Sequence, residues 1–137
     1  MRWLLLFSCL LIDAPIALAQ EASPGLENEL KDLNWIGFQQ FEEVSRVFVR
    51  TTEPVKYRVD TSRPNIVELV LENTRVPLTN NTRFLDTRYF DSPVSFIQPK
   101  VIEGPSPSVR IAIRLRRAAP HKATQSDNVL ALDFERQ

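Results

Sequence analysis

An all-β domain, a two-sheet antiparallel β-sandwich with internal pseudo-twofold symmetry, is the fold class this sequence predicts. Three observations lead to it. Apolar and polar residues alternate over short runs, as in Val47, Val49 and Thr51 against Arg46, Phe48 and Arg50, which is the period of a half-buried strand. Ten prolines and three glycines separate those runs, a composition of short strands and proline-marked turns. The chain also contains one pattern twice. Ser45–Arg50 followed by Asn65–Glu72 is echoed by Val109–Arg114 followed by Asn128–Glu135. Arg46 then aligns with Arg110, Arg50 with Arg114 and, with Pro64 as an insertion, Asn65 with Asn128. Two copies are too few for a solenoid, which needs about three or more repeats. They suit a closed domain built of two related halves.

The 137 residues allow one domain, close to the usual ~100–150-residue size. Lysine plus arginine equals aspartate plus glutamate, so formal charge is zero and the basic excess of a nucleic-acid binder is missing. Residues 1–19 read as a secretory signal: Arg2, an apolar run from Trp3 to Ile12, and Ala17-Leu18-Ala19 as a small-x-small site, with cleavage after Ala19. Asp13 and Pro15 interrupt an apolar run already far short of the ~20 residues a membrane span needs. Lipidation at Cys9 is disfavoured, because Leu6-Phe7-Ser8-Cys9 is a poor lipobox after so short an apolar run. The expected product is periplasmic, without cysteine or a membrane span.

Residues 20–33 read as a linker, flexible or briefly helical, with Leu26, Leu30 and Leu33 at helical spacing. The sandwich is expected over 34–136. Asn34–Gln39, with Ile36 and Phe38 alternating, opens it. Ser45–Thr52 follows, and Glu53-Pro54 turns into Val55–Val59, where Val55, Tyr57 and Val59 share a face. Ser62–Asn65 turns again. Ile66–Glu72 sends Val67, Leu69 and Leu71 inward. Short connections make consecutive strands antiparallel neighbours. If each half supplies one sheet, the two apolar faces meet at the symmetry axis. Asn73–Tyr89 is the least regular part, and Asn80-Asn81-Thr82 reads as a turn. Val94–Glu103 is a strand bent at Pro99 or placed at an edge. Gly104–Ser108 makes a hairpin tip. Val109–Arg116 points Ile111, Ile113 and Leu115 inward. A weak strand at His121–Thr124 precedes Val129–Glu135, whose inward residues are Leu130, Leu132 and Phe134.

These strand patterns resemble the AMIN domain, an exported β module at the N-terminus of N-acetylmuramoyl-L-alanine amidases and type IV pilus secretins. The resemblance covers roughly Asn34 to Glu135. It rests on Arg46–Val49, Pro54–Tyr57, Pro64–Leu71 and the echo in Val109–Ile113 and Asn128–Leu132. The turn Pro64-Asn65 reverses the family's usual order, and Glu72 stands where an aspartate is common. The resemblance implies a symmetric β-sandwich that targets a protein to the cell wall by binding peptidoglycan.

No catalytic, metal or cofactor site is expected, and the chain is not expected to be an enzyme. An amidase zinc site needs His and Glu ligands, and His121 is the sole histidine. A charge pattern remains. Arg46 and Arg50 share a strand face, and Arg110, Arg114 and Arg116 share the matching face of the repeat. Guanidinium groups read carboxylates with two parallel bonds, and peptidoglycan stem peptides carry carboxylates. The candidate peptidoglycan-binding residues are therefore Arg46, Arg50, Arg110, Arg114, Arg116 and Tyr57, with Tyr89 and Trp35 as further sugar contacts. The competing reading pairs those arginines with Glu68, Glu72, Asp133 and Glu135 across strands. A second partner class is a type IV pilus or secretion secretin, or an amidase, bound by edge-strand pairing at Asn73–Tyr89 or near Pro99.

Overall fold

A computed structural model describes residues 29–136. The expected signal sequence, Cys9 and most of the expected linker lie outside the described residues. Ten strands follow in order: β1 (Lys31–Gln40), β2 (Val44–Thr51), β3 (Tyr57–Asp60), β4 (Ile66–Glu72), β5 (Thr74–Arg75), β6 (Leu85–Asp86), β7 (Val94–Ile102), β8 (Ser108–Leu115), β9 (His121–Ser126) and β10 (Val129–Glu135). A 3-10 turn, Thr79–Thr82, lies between β5 and β6. Two five-stranded sheets result, in the orders β5-β1-β2-β10-β9 and β3-β4-β8-β7-β6. Every pairing is antiparallel except the short one between β1 and β5.

The alternation read from sequence is the alternation of burial. Val47, Val49 and Thr51 are buried, as are Val67, Leu69 and Leu71, Ile111, Ile113 and Leu115, and Leu130, Leu132 and Phe134. Side chains from both sheets join one cluster, so the sheets pack face to face and bury the apolar side of each. Two differences from expectation carry physical content. The linker expected over 20–33 ends early: β1 begins at Lys31, and Leu33 is completely buried. Leucines at helical spacing mislead here, because Leu33 belongs to the period-two pattern that continues at Ile36 across a bulge. The edge placement expected for Pro99 holds, with β7 running through it from Val94 to Ile102. Beyond Ile97 no strand pairs with the outer side of β7, and an edge position tolerates the missing N–H.

The second difference is the larger. Each sheet takes strands from both halves of the chain, not one half each. β2 pairs with β10 and β4 pairs with β8. The cause lies in two connections. Residues 52–56 and residues 116–120 each carry the chain from one sheet to the other and contain Pro54 or Pro120. Proline cannot extend the ladder, so β3 does not fold back beside β2. Val55 is buried on this crossing. Gln125 of β9 fastens it, donating to the carbonyl of Val55 and accepting from its N–H, both at 3.0 Å.

The pseudo-symmetry survives the exchange. Arg46, Val47 and Val49 stand opposite Asp133, Leu132 and Leu130. Their counterparts Arg110, Ile111 and Ile113 stand opposite Val70, Leu69 and Val67. Thr51 N–H donates to Asn128 O at 2.9 Å, and Leu115 N–H donates to Asn65 O at 2.8 Å. The echoed positions thus occupy the same register in the two sheets.

Candidate functional site

With Val47, Val49, Ile111 and Ile113 in the core, their alternates face outward. Arg46 and Arg50 therefore lie on the outer face of one sheet, and Arg110 and Arg114 on the outer face of the other. The two pairs do not form one site, because the thickness of the sandwich separates them. Tyr57 joins neither, since its ring packs against the core. Arg116 follows β8 and donates through Nη2 to the carbonyl of Arg88 at 3.1 Å. Tyr89 is almost fully exposed on the loop beside it.

On the first sheet Arg46 meets the carboxylate directly across from it. Its Nε and Nη2 donate to the two oxygens of Asp133 at 2.7 and 3.0 Å, and its guanidinium also lies 4.9 Å from the Phe41 ring centroid. Donating to the Asp133 carboxylate raises the Arg46 pKa above its ordinary value. Arg50 is exposed, and its side chain has no ion pair among the described residues. Gly37 lies under the Phe48 ring, where a Cβ would come within 2.3 Å of Phe48 Cζ. This face is aromatic at Trp35 and Phe48, and its charges are locally balanced at Arg46.

The second sheet differs. Residue 133 is an aspartate, but its counterpart on β4 is Val70. Arg110 turns instead to the diagonal neighbour Glu68, at 3.0 Å, and Arg63 reaches the other Glu68 oxygen at 2.9 Å. Glu68 is nearly buried beneath the two guanidinium groups. Arg114 lies against the Phe96 ring, 5.6 Å from its centroid. Lys100, opposite Arg110 in β7, has no ion pair among the described residues.

The small side chain of Ala112 leaves a hollow between these groups. One basin, of about 450 Å³, is lined by Asp60, Ser62, Arg63, Glu68, Gln98, Lys100, Arg110 and Ala112. A second, of about 200 Å³, shares Arg63, Gln98 and Ala112 and extends to Ile66, Phe96 and Arg114. Together they form a groove along β4, β8 and β7 with four cations, Arg63, Lys100, Arg110 and Arg114, against two carboxylates, Asp60 and Glu68. The Asp60 carboxyl is held below its ordinary range, chiefly by the backbone N–H of Ser62 at 2.8 Å and also by the Ser62 hydroxyl, with Arg58 and Arg110 adding attraction. A protein of zero formal charge thus concentrates positive charge on one hollow face. Such a groove suits extended ligands bearing carboxylates.

Sequence reasoning found Arg110 and Arg114 but missed Lys100, Arg63 and Gln98. Lys100 and Gln98 are the outward alternates of a strand whose inward residues include Val94 and Ile97, a signal present in the sequence. Arg63 comes from a turn, and no periodicity could have placed it. Among the described residues no three His, Cys, Asp or Glu side chains lie close enough to hold a metal ion. No helix there is long and apolar enough to cross a membrane.

No curated protein and no solved structure matches the chain. A family match does exist, to the AMIN domain over residues 36–134, from the first long strand to the last. That span contains most of both sheets, with the groove and the echoed strands, and it covers most of the sequence: the chain belongs to the AMIN domain family.

Proposed function

We propose that this AMIN domain is a non-catalytic module of the cell envelope, exported to the periplasm by its N-terminal signal, that localises an envelope machine by binding peptidoglycan. The AMIN domain is a periplasmic targeting module of amidases and secretins, which supports the reading. The observation that carries the assignment of a site is the groove over Ala112, where Arg63, Lys100, Arg110 and Arg114 converge on a space with two carboxylates. Stem peptides are extended and anionic. Lys100 and Arg114 have no carboxylate partner to give up, so a ligand carboxylate gains charge-assisted bonds there without breaking an internal pair. Arg110 and Arg63 are committed to Glu68 and shape the wall of the groove.

Of the six residues selected from sequence, this reading retains Arg114 as a direct contact and Arg110 as a wall. Arg46 is neutralised by Asp133, and Tyr57 supports the core. Arg50 and Arg116 lie away from the groove.

Co-sedimentation with purified sacculi tests the proposal. The double variant Lys100→Glu with Arg114→Glu reverses two exposed charges and is expected to weaken binding about tenfold or more, roughly 1.4 kcal/mol or above. Raising salt should weaken the parent protein in the same direction. A double variant that folds and sediments as well as the parent would refute the groove as the site.

A further inference from the structure

The two sheets contain the same corner twice. In β1, Leu33, Trp35 and Ile36 stand opposite Thr51, Arg50 and Val49, with a bulge between Leu33 and Trp35. In β7, Val94, Phe96 and Ile97 stand opposite Leu115, Arg114 and Ile113, with a bulge between Val94 and Phe96. Each bulge therefore delivers an aromatic ring to the outer face, directly across from an arginine. The two corners lie on opposite sides of the sandwich.

They are finished differently. At the Phe96 corner the chain covers itself. β6 lays Leu85 and Asp86 beside Ile97 and Phe96. Phe84 stacks on Phe96, with ring centroids 4.9 Å apart and planes 20° apart. Among the described residues nothing equivalent covers the Trp35 corner. β5 pairs only with Lys31 and Asp32. The 3-10 turn reaches β1 at Asn34, where Asn81 Nδ2 donates to the carbonyl at 2.8 Å. No strand among the described residues pairs with Trp35 and Ile36 on that side. Trp35 is 53% exposed, and Arg50 has neither an ion pair nor a ring partner among the described residues.

We infer that the Trp35–Arg50 corner docks a segment of a protein partner that does there what residues 84–86 do at the twin corner. The segment adds a short antiparallel strand beside Trp35 and Ile36 and stacks an aromatic ring on the indole; unlike residues 84–86, whose Asp86 pairs with Arg88, it also brings a carboxylate to Arg50. The form of the occupant comes from the molecule itself, since Phe84 and β6 show what fits a corner of this geometry. The charge of the occupant comes from Arg50. Backbone pairing at a sheet edge supplies affinity, and the ring and the ion pair supply selectivity. This site goes beyond the peptidoglycan reading. It lies across the sandwich from the groove, so both can be filled at once.

The test uses two synthetic peptides, one copying residues 82–88 and one with Arg83→Glu in that sequence. Each is titrated into the ¹⁵N-labelled protein while the Trp35 indole N–H and the amides of Ile36 and Arg50 are followed. Both peptides should shift those signals saturably, and the Arg83→Glu peptide should bind several-fold more tightly. Trp35→Ala should abolish the shifts of the Ile36 and Arg50 amides, and Trp35→Phe should keep them. Arg50→Gln should remove the advantage of the acidic peptide. No shift at millimolar peptide, or equal affinity for the two peptides, would overturn the inference. So would soluble muropeptides shifting the Trp35 signal where the peptides do not, which would assign the corner to peptidoglycan. A failed peptide titration leaves the sacculus result at the opposite face unaffected.

Discussion

Arg46 and Arg110 are symmetry mates in sequence, yet they meet different surroundings. Arg46 faces Asp133 directly, while Arg110 faces Val70 and must reach the diagonal Glu68. Diagonal neighbours on one sheet face lie about 7–8 Å apart, within reach of a long side chain. Charge reversal at Arg110 would set a second carboxylate against the nearly buried Glu68, so it probes stability as much as binding. Lys100 and Arg114 are the cleaner probes. Gly37 makes a sharper test of packing. Its missing Cβ is occupied by the Phe48 ring, and Trp35 Nε1 would stand 2.9 Å from an added methyl. Gly37→Ala should cost about 1–2 kcal/mol, and most of that should disappear when Phe48→Leu removes the ring. Chemical denaturation of both variants measures it, and an equal cost in the two backgrounds would disprove the contact. The outward placement of Arg46, Arg50, Arg110 and Arg114 was legible in the sequence, because alternation assigns faces. The carboxylates Asp133 and Glu68 were legible too, as cross-strand partners; which arginine meets which was not, because that depends on which strands become neighbours.

The strands show the same division. Every long strand appears where alternation predicts one, and the inward sets of β2, β4, β8 and β10 match residue by residue. The two-residue strands β5 and β6 are too short to carry a period, so the segment 73–89 looked irregular. β4 is buried on both faces, which alternation alone does not predict: Glu68 is covered by two arginines, and Val70 lies beside Arg58, Asn73, Ser106 and Ser108. The crossing at Pro54 reads as an ordinary turn, because a proline marks the end of a ladder without saying where the chain goes next. The consequence is testable. Since β2 needs β10 and β4 needs β8, residues 29–77 and residues 78–136 expressed apart should each give the circular dichroism of an unfolded chain. Mixed, they should regain the strand signal. A folded isolated half would contradict the exchange of strands.

At the scale of the molecule, duplication gives one scaffold two outer faces with the same register but different surfaces. On one, Phe48 lies over Gly37 and Arg46 is neutralised by Asp133. On the other, Ala112 and Gln98 take the places of Phe48 and Gly37, and the surface opens into a basic groove. The echo in the sequence revealed the symmetry, and the departures from it point to function. The most direct measurement is a map of amide shifts when a soluble muropeptide with a free stem-peptide carboxylate is titrated into the ¹⁵N-labelled protein. The shifts are predicted to cluster at Gln98, Lys100, Ala112 and Arg114, with the outer faces of β2 and β10 unmoved. Shifts confined to β2 and β10, or no shifts at all, would contradict the assignment of the groove.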